Sequence, residues 1–337
     1  MSAMTIRSER WILSRLRDRA VLLGLCLAVA CAGLVAPVSG VAQPAETPAG
    51  APAVQQKTFS TPEAAAEALI LAAEQSDIPA LKEILGPEGM PLVVTEDPVQ
   101  DKNRYMAFAA QARQQLRIAR DSKNSKRATM LIGAEEWPVP VPIVKKSRKW
   151  RFDSKAGLEE VLYRRIGENE LDAIELCRGY VEAQHEYASE RRDGARVNQY
   201  AQRVISTPGK QDGLAWQATD GTWQGPVGEA IAEIIAEGYS SDFSPYHGYF
   251  FKVLKGQGPA APMGEMDFVV KGVMIGGFAL VAAPAEYAVT GVKTFIVSHD
   301  GVVYEKDFGP KTLDEFRAME HYNPDPTWSP VPSSETP

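Results

Sequence analysis

The 337-residue chain contains four histidines, and two of them stand where an imidazole could act. Glu182 and His185 are three residues apart in a helical stretch, a spacing that lets both face one metal ion. A third ligand is missing within sequence reach. The competing reading is a helix-border histidine touching acidic neighbours. His247 sits in Pro245-Tyr246-His247-Gly248-Tyr249, just ahead of a strand, where a base or ligand would lie at a pocket mouth. Its competing reading is a turn histidine pinned by aromatic rings. His299 at a hairpin tip and His321 in a terminal helix have no such setting. Trp216 and Trp223, with Tyr239, Tyr246 and Tyr249, would form either a sugar-stacking surface or core and rim. The catalytic candidate is therefore His247. The binding candidates are Tyr246, His247, Tyr249, Trp216 and Trp223. Glu182 and His185 make only an incomplete metal pair, and no cofactor is expected.

Other chemistries lack their motifs. Gly256-Gln257-Gly258 and Gly272 with Gly276-Gly277 do not follow the strand, Gly-rich loop, helix order of a phosphate loop. The first reads as a loop around Pro259 and Pro262, the second as a strand connection with unusual backbone angles. Nucleophile-elbow, zinc-protease and Cys-x-x-Cys signatures do not occur. Glu135-Glu136 and Glu159-Glu160 are adjacent and point apart, as surface charge does. A net charge of −7 with mixed signs excludes a nucleic-acid surface as the chain's main business.

The N-terminus speaks to compartment. Arg7, Arg10, Arg15, Arg17 and Arg19 precede an uncharged apolar run over residues 20–36, and Gly40-Val41-Ala42 supplies small residues for a peptidase. This predicts a secretory signal cleaved after Ala42, and a periplasmic or secreted protein with no membrane span once the signal is gone. The alternative is a retained N-terminal membrane anchor, for which the run is slightly short. A lipoprotein acylated at Cys31 is a further alternative. The processed chain keeps only Cys177, so no intramolecular disulfide can form.

The elements that must position these residues fall into two domains, 58–155 and 156–322, after a signal (1–42) and a disordered leader (43–57) and before a tail (323–337). In the first, Ser60 or Thr61 ahead of Pro62, and Asp77, start helices, residues 102–120 form a third, and strands follow at 127–132, 137–144 and 149–152. Pro138, Pro140 and Pro142 make the middle strand an edge or an extended cover. Residues 153–162 link the domains, in a helix of their own. The second domain opens with the stretch 163–201, a long helix capped at Asn169 and stopped by Arg191-Arg192-Asp193-Gly194, then a turn and a short return segment. Its apolar residues cover more than half the circumference, which predicts burial on two sides. A helix over 226–238 and strands at 249–254, 267–273, 278–283, 293–298 and 302–306 complete it. Thr312 and Glu315 read as a capping box. The fold class is α+β.

Three resemblances follow from these residues. The opening FSTPEAAAEALILAAEQSDIPALKEILGP resembles the nuclear-transport-factor-2-like helix-plus-curved-sheet domains. Enzymes on that scaffold pair a His with a carboxylate, and no His precedes His185, so this resemblance implies fold alone. KWRFDSKAGLEEVLYRRIGENELDAI, SPYHGYFFKVLKGQGPAAP and GGFALVAAPAEYAVTGVKTFIVSHDGVVYEKDFGPKT resemble domain of unknown function 2950, a family of exported bacterial proteins. In the second domain, Ala183, Gln184 and Tyr187, then Tyr200-Ala201, Gly248-Tyr249, Phe278, Ala279, Ala282, Pro284, Gly291, Phe295 and Asp300-Gly301 resemble the globular region of type IV pilins and pseudopilins. That resemblance implies a long helix on an antiparallel meander. The helix here lies behind another domain, so pilin-type polymerisation does not carry over. The expectation is a non-enzymatic binding or assembly protein of the cell envelope whose partner is an envelope protein or a small ligand. The alternative is a periplasmic hydrolase or sugar-binding protein with its site near His247.

Overall fold

Thr61 and Asp77 start the first two helices as their side chains require. A computed structural model, describing residues 55–95, 97–227 and 245–332, places α1 at Pro62–Glu74 and α2 at Ile78–Leu85. Thr61 accepts from Ala64 N at 3.1 Å and Asp77 from Ala80 N at 3.0 Å. Proline in each first turn loses no helical hydrogen bond. Asp97 caps α3 (Pro98–Gln114) through Val99 N and Gln100 N. An antiparallel sheet follows, of β1 (Leu116–Arg120), β2 (Arg127–Ile132), β3 (Trp137–Pro138), β4 (Ile143–Lys146) and β5 (Lys149–Phe152). Its order is β1-β2-β4-β5, with β3 also on β2. Ala65, Ile70, Met130, Ile143, Trp150 and Phe152 build the core between helices and sheet.

Three expectations are corrected here. The third helix stops at Gln114, and Leu116–Arg120 is a strand in full register with Ala128 to Ile132. Strand pairing overrides a helical periodicity that was itself weak. Leu116 is accordingly exposed rather than inward. The proline-rich strand is broken in two, and its second half is interior, between β2 and β5. Proline cannot donate to a ladder, so only Val139 N reaches Met130 O (2.8 Å) before the chain resumes pairing at Ile143. The leader also ends sooner than expected, since Gln56 Nε2 donates to Phe152 O at 2.8 Å.

The chain divides into two units after Tyr163, inside a helix and not in a linker. That helix, α4 (Ser154–Ala188), is continuous over 35 residues. No proline interrupts it, and Gly167 and Gly179 face open space. The separate linker helix is thus its first turns. Asn169 is interior and not a cap; its Nδ2 donates to Thr290 O at 2.8 Å. Burial is also one-sided: Ala173, Ile174, Cys177, Tyr180, Ala183, Gln184 and Tyr187 are buried, whereas Leu171 is 54% exposed.

Beyond α4 come β6 (Arg203–Ile205), β7 (Gly213–Gln217), β8 (Trp223–Gln224), β9 (Tyr249–Leu254), β10 (Gly256–Gln257), β11 (Met266–Asp267), β12 (Val269–Val270), β13 (Val273–Met274), β14 (Ala279–Pro284), β15 (Thr294–Ser298) and β16 (Val303–Lys306). Helix α5 (Thr312–Ala318), β17 (His321–Tyr322) and β18 (Ser329–Pro330) end the described chain. The main sheet is antiparallel, in the order β18-β16-β15-β14-β9. Its central strands β14 and β15 are buried throughout, and α4 shares their core through Cys177, Tyr180 and Ala183.

Five further readings change. The strand expected over 267–273 is cut by a tight turn at Lys271-Gly272, both at positive φ (50° and 82°), which folds β12 onto β13. Gly256-Gln257 is strand rather than loop. The capping box does not form: Thr312 lies inside α5 and donates back to Gly309 O at 2.7 Å. His321 is on β17, and the expected tail returns to the sheet, with Trp328 buried against Phe308 and Val331 N bonded to Val303 O. The expected signal, most of the leader and the helix over 226–238 (apart from 226–227) lie outside the described residues.

Gln184 ties the second unit together. It is fully buried, its Nε2 donates to Ala201 O (2.8 Å) and Tyr180 Oη (2.9 Å), and its Oε1 accepts from Ala201 N (2.8 Å). Gln184→Leu leaves both backbone groups of Ala201 stranded, at about 1–3 kcal/mol each. The expected outcome in urea titration is a clear loss of stability, with faster exchange of the Ala201 amide. An unchanged exchange rate would show that the contact carries no such weight.

Candidate functional site

His247 and Gly248 both have positive φ (45° and 73°). They are the two central residues of a reverse turn closed by Tyr246 N to Tyr249 O (3.0 Å) and Tyr249 N to Tyr246 O (2.9 Å). This two-residue turn with left-handed backbone directs the imidazole outward. There it meets α4: Nδ1 lies 2.5 Å from Asp172 Oδ2. The Tyr246 ring lies over the imidazole at 4.3 Å between centroids. Gly248 is required, because a Cβ would come within 2.8 Å of Asn169 Nδ2 and Thr290 Cβ. One turn of α4 thus supplies Asn169 to the backbone beside the site and Asp172 to the imidazole. Glu170, next to them, accepts from Val292 N (2.9 Å) and Lys293 N (3.0 Å).

An ionised carboxylate only accepts, so Asp172 places the proton of a neutral imidazole on Nδ1 and leaves Nε2 free to accept. That is the arrangement of an oriented base. Among the described residues Nε2 has no hydrogen-bond partner. The His247 side chain is 38% exposed and that of Asp172 17%, so the contact is at the surface.

The other candidates do not gather around this pair. Tyr249 is a core residue, its hydroxyl donating to Lys293 O (2.9 Å) and its ring beside Phe295. Burial pushes its phenol pKa far up. Trp216 is buried as well, and the Arg192 guanidinium lies over its ring at 4.8 Å. Trp216 pairs with Gln224 and Gln217 with Trp223, so the two tryptophans lie on opposite faces of the β7–β8 ribbon. They cannot form one sugar platform. Tyr239 lies outside the described residues. His185 packs edge-on against Phe278 at 5.5 Å and Tyr200 at 6.4 Å, while Glu182 is exposed. Among the described residues no group of three His, Cys, Asp or Glu could hold a metal ion. Of the binding candidates, only Tyr246 and His247 share a site. Asp172, its third member, is not among the sequence candidates, because it reaches His247 from a helix 75 positions earlier.

Cys177 is fully buried, and desolvation pushes its thiol up to about 12. Tyr187, also buried, is likewise raised to about 12. A group whose pKa rises on folding adds stability below its unfolded value and loses it as pH climbs through the folded one. The expected outcome is stability flat to about pH 9, from the ordinary thiol value, and falling between about 9 and 12. At pH 8 iodoacetamide should leave Cys177 unmodified in the native chain and alkylate it in urea, read by peptide mass spectrometry. Rapid native alkylation would refute the buried placement.

No curated protein and no solved structure matches the chain. Residues 56–331 match the family described as protein of unknown function (DUF2950). That match spans both units, from just ahead of α1 through the His247 turn to the last strand, and the chain belongs to this family.

Proposed function

We propose that the chain is exported and acts by binding or assembly in the cell envelope rather than by turning over a substrate. The observation that carries this reading is where the polar side chains of α4 end. Asn169, Glu170 and Gln184 all bond backbone groups of their own unit, which is what a scaffold asks of them. A long helix against an antiparallel five-stranded sheet supports a pilin-like second unit. Three helices beside a five-stranded sheet support a nuclear-transport-factor-2-like first unit. The arginine-rich start and the apolar run over 20–36 support export. Among the described residues no helix is long and apolar enough to cross a membrane. The expected outcome of N-terminal sequencing is a mature chain beginning at Gln43. A chain retained in the membrane fraction with its N-terminus intact would favour the anchored alternative. Affinity capture from envelope extract should return a specific envelope protein or small ligand, and recovery of neither would count against assembly.

The 2.5 Å contact of His247 with Asp172 favours a second reading, a periplasmic hydrolase or sugar-binding protein at that turn. Under the binding reading, His247→Ala and Asp172→Asn each cost under about 1 kcal/mol, as exposed ion pairs do. Neither alters hydrolysis of chromogenic esters or glycosides. Turnover by the parent chain that both variants abolish would establish the hydrolase.

A further inference from the structure

The end of the first unit's sheet gathers positive charge without partners. Lys146 stands directly across from Lys149 in the β4–β5 ladder. Lys145 N bonds Lys126 O at 2.8 Å, so those two lysines are also neighbours across strands. Like charges placed opposite one another in a sheet destabilise it. None of Lys126, Lys145, Lys146, Arg148 or Lys149 has an ion-pair partner among the described residues. The nearest carboxylate in the adjoining turn, Asp121, is engaged by the backbone N–H groups of Lys123 and Asn124. Lys145 instead rests over the Trp150 ring at 5.7 Å, and Arg120 lies over the same ring at 5.7 Å. The chain as a whole is acidic, at −7, so this arrangement does not come from a shortage of carboxylates.

Of these cations, Lys126, Lys145 and Arg148 border an open surface cleft, while Lys146 and Lys149 face the other side of the ladder. Ser125, Lys126, Lys145, Ser147 and Arg148 line a space of about 370 Å³. The turn Ser147-Arg148 has positive φ at both residues (50° and 69°), which folds the β4–β5 hairpin tightly at its rim. Three cationic residues and two serines thus line one space. A monoanionic carboxylate would leave the cations largely uncompensated. A tetrahedral oxyanion with two or three charges meets all of them, and a guanidinium fork matches its edge.

We infer that this cleft binds a phosphate group or a pair of phosphate groups. The group is either free in solution or carried on a lipid headgroup at a membrane surface. Binding relieves the repulsion between Lys126 and Lys145, which stand across strands at the cleft, and Arg148 adds a fork at its rim.

The test titrates the full chain with inorganic pyrophosphate by calorimetry at low salt. One site is expected, weakened at least tenfold by Lys126→Glu and by Arg148→Ala and unchanged by Lys210→Ala, an exposed lysine of the other unit. Without ligand, Lys126→Glu should melt no lower than the parent, because it replaces a repulsive pair by an attractive one. Sedimentation with phosphatidylglycerol vesicles separates the two sources. Capture that pyrophosphate reverses, and that Lys126→Glu lacks, assigns a headgroup; pyrophosphate binding without such capture assigns a free phosphate compound. No binding to either probe overturns the inference. So does equal weakening by Lys210→Ala, or a lower melting temperature for ligand-free Lys126→Glu.

Discussion

A buried amide cannot be left without partners, and Gln184 sets the terms for the second unit. At about 100° per residue, Glu170, Ala173, Cys177, Tyr180, Gln184 and Tyr187 fall within about 100° of one another around α4. The apolar middle of that face packs on the sheet, and a polar side chain stands near each end. Glu170 holds the backbone at Val292 and Lys293, and Gln184 holds Ala201. Apolar packing alone would allow the helix to slide or rotate slightly at small cost. The two polar contacts permit a single register, because each must meet specific backbone groups. Asp172 lies off this face, at the rim, and is thereby delivered to the edge where the Tyr246–Tyr249 turn emerges.

Local chemistry was legible wherever a residue acts on its own neighbours. Thr61, Asp77, the Asp300-Gly301 turn and the apolar runs of β14 and β15 could be read directly, since caps, turns and buried strands are decided within a few residues. The failures share one cause. Leu116–Arg120 carries both helical and strand patterns, and only its pairing with β2 decides between them. Asn169 has the chemistry of a cap but a partner, Thr290, that is 121 residues away. Trp328 looked like part of a tail because the ring it packs against belongs to Phe308. The site followed the same rule. His247 was visible as an unusual residue in a turn, whereas its carboxylate came from a helix 75 positions earlier.

Four arginines of the first unit, Arg104, Arg113, Arg117 and Arg120, hold carboxylates. Arg113 bonds both Glu74 and Glu67, and Arg117 bonds Glu136. Those pairs lie on α3, α1 and β1, where charge of both signs is interleaved. The β4–β5 end breaks that pattern with opposed lysines at the same strand positions. Exposed pairs are individually weak, so their absence would mean little. Direct opposition of like charges is different, because it costs stability.

A similar question applies to the pair at the turn. A histidine at φ 45° occupies a position that glycine or asparagine fills with less strain. Asparagine would satisfy the backbone better but would present Asp172 with a neutral amide. Histidine accepts the backbone cost and supplies a ring nitrogen that can carry a proton or a charge toward the carboxylate. Clamping the turn to α4 explains Nδ1 and the stacked Tyr246. It leaves Nε2 without a structural task, so the difference between a clasp and a base rests on what that one atom meets.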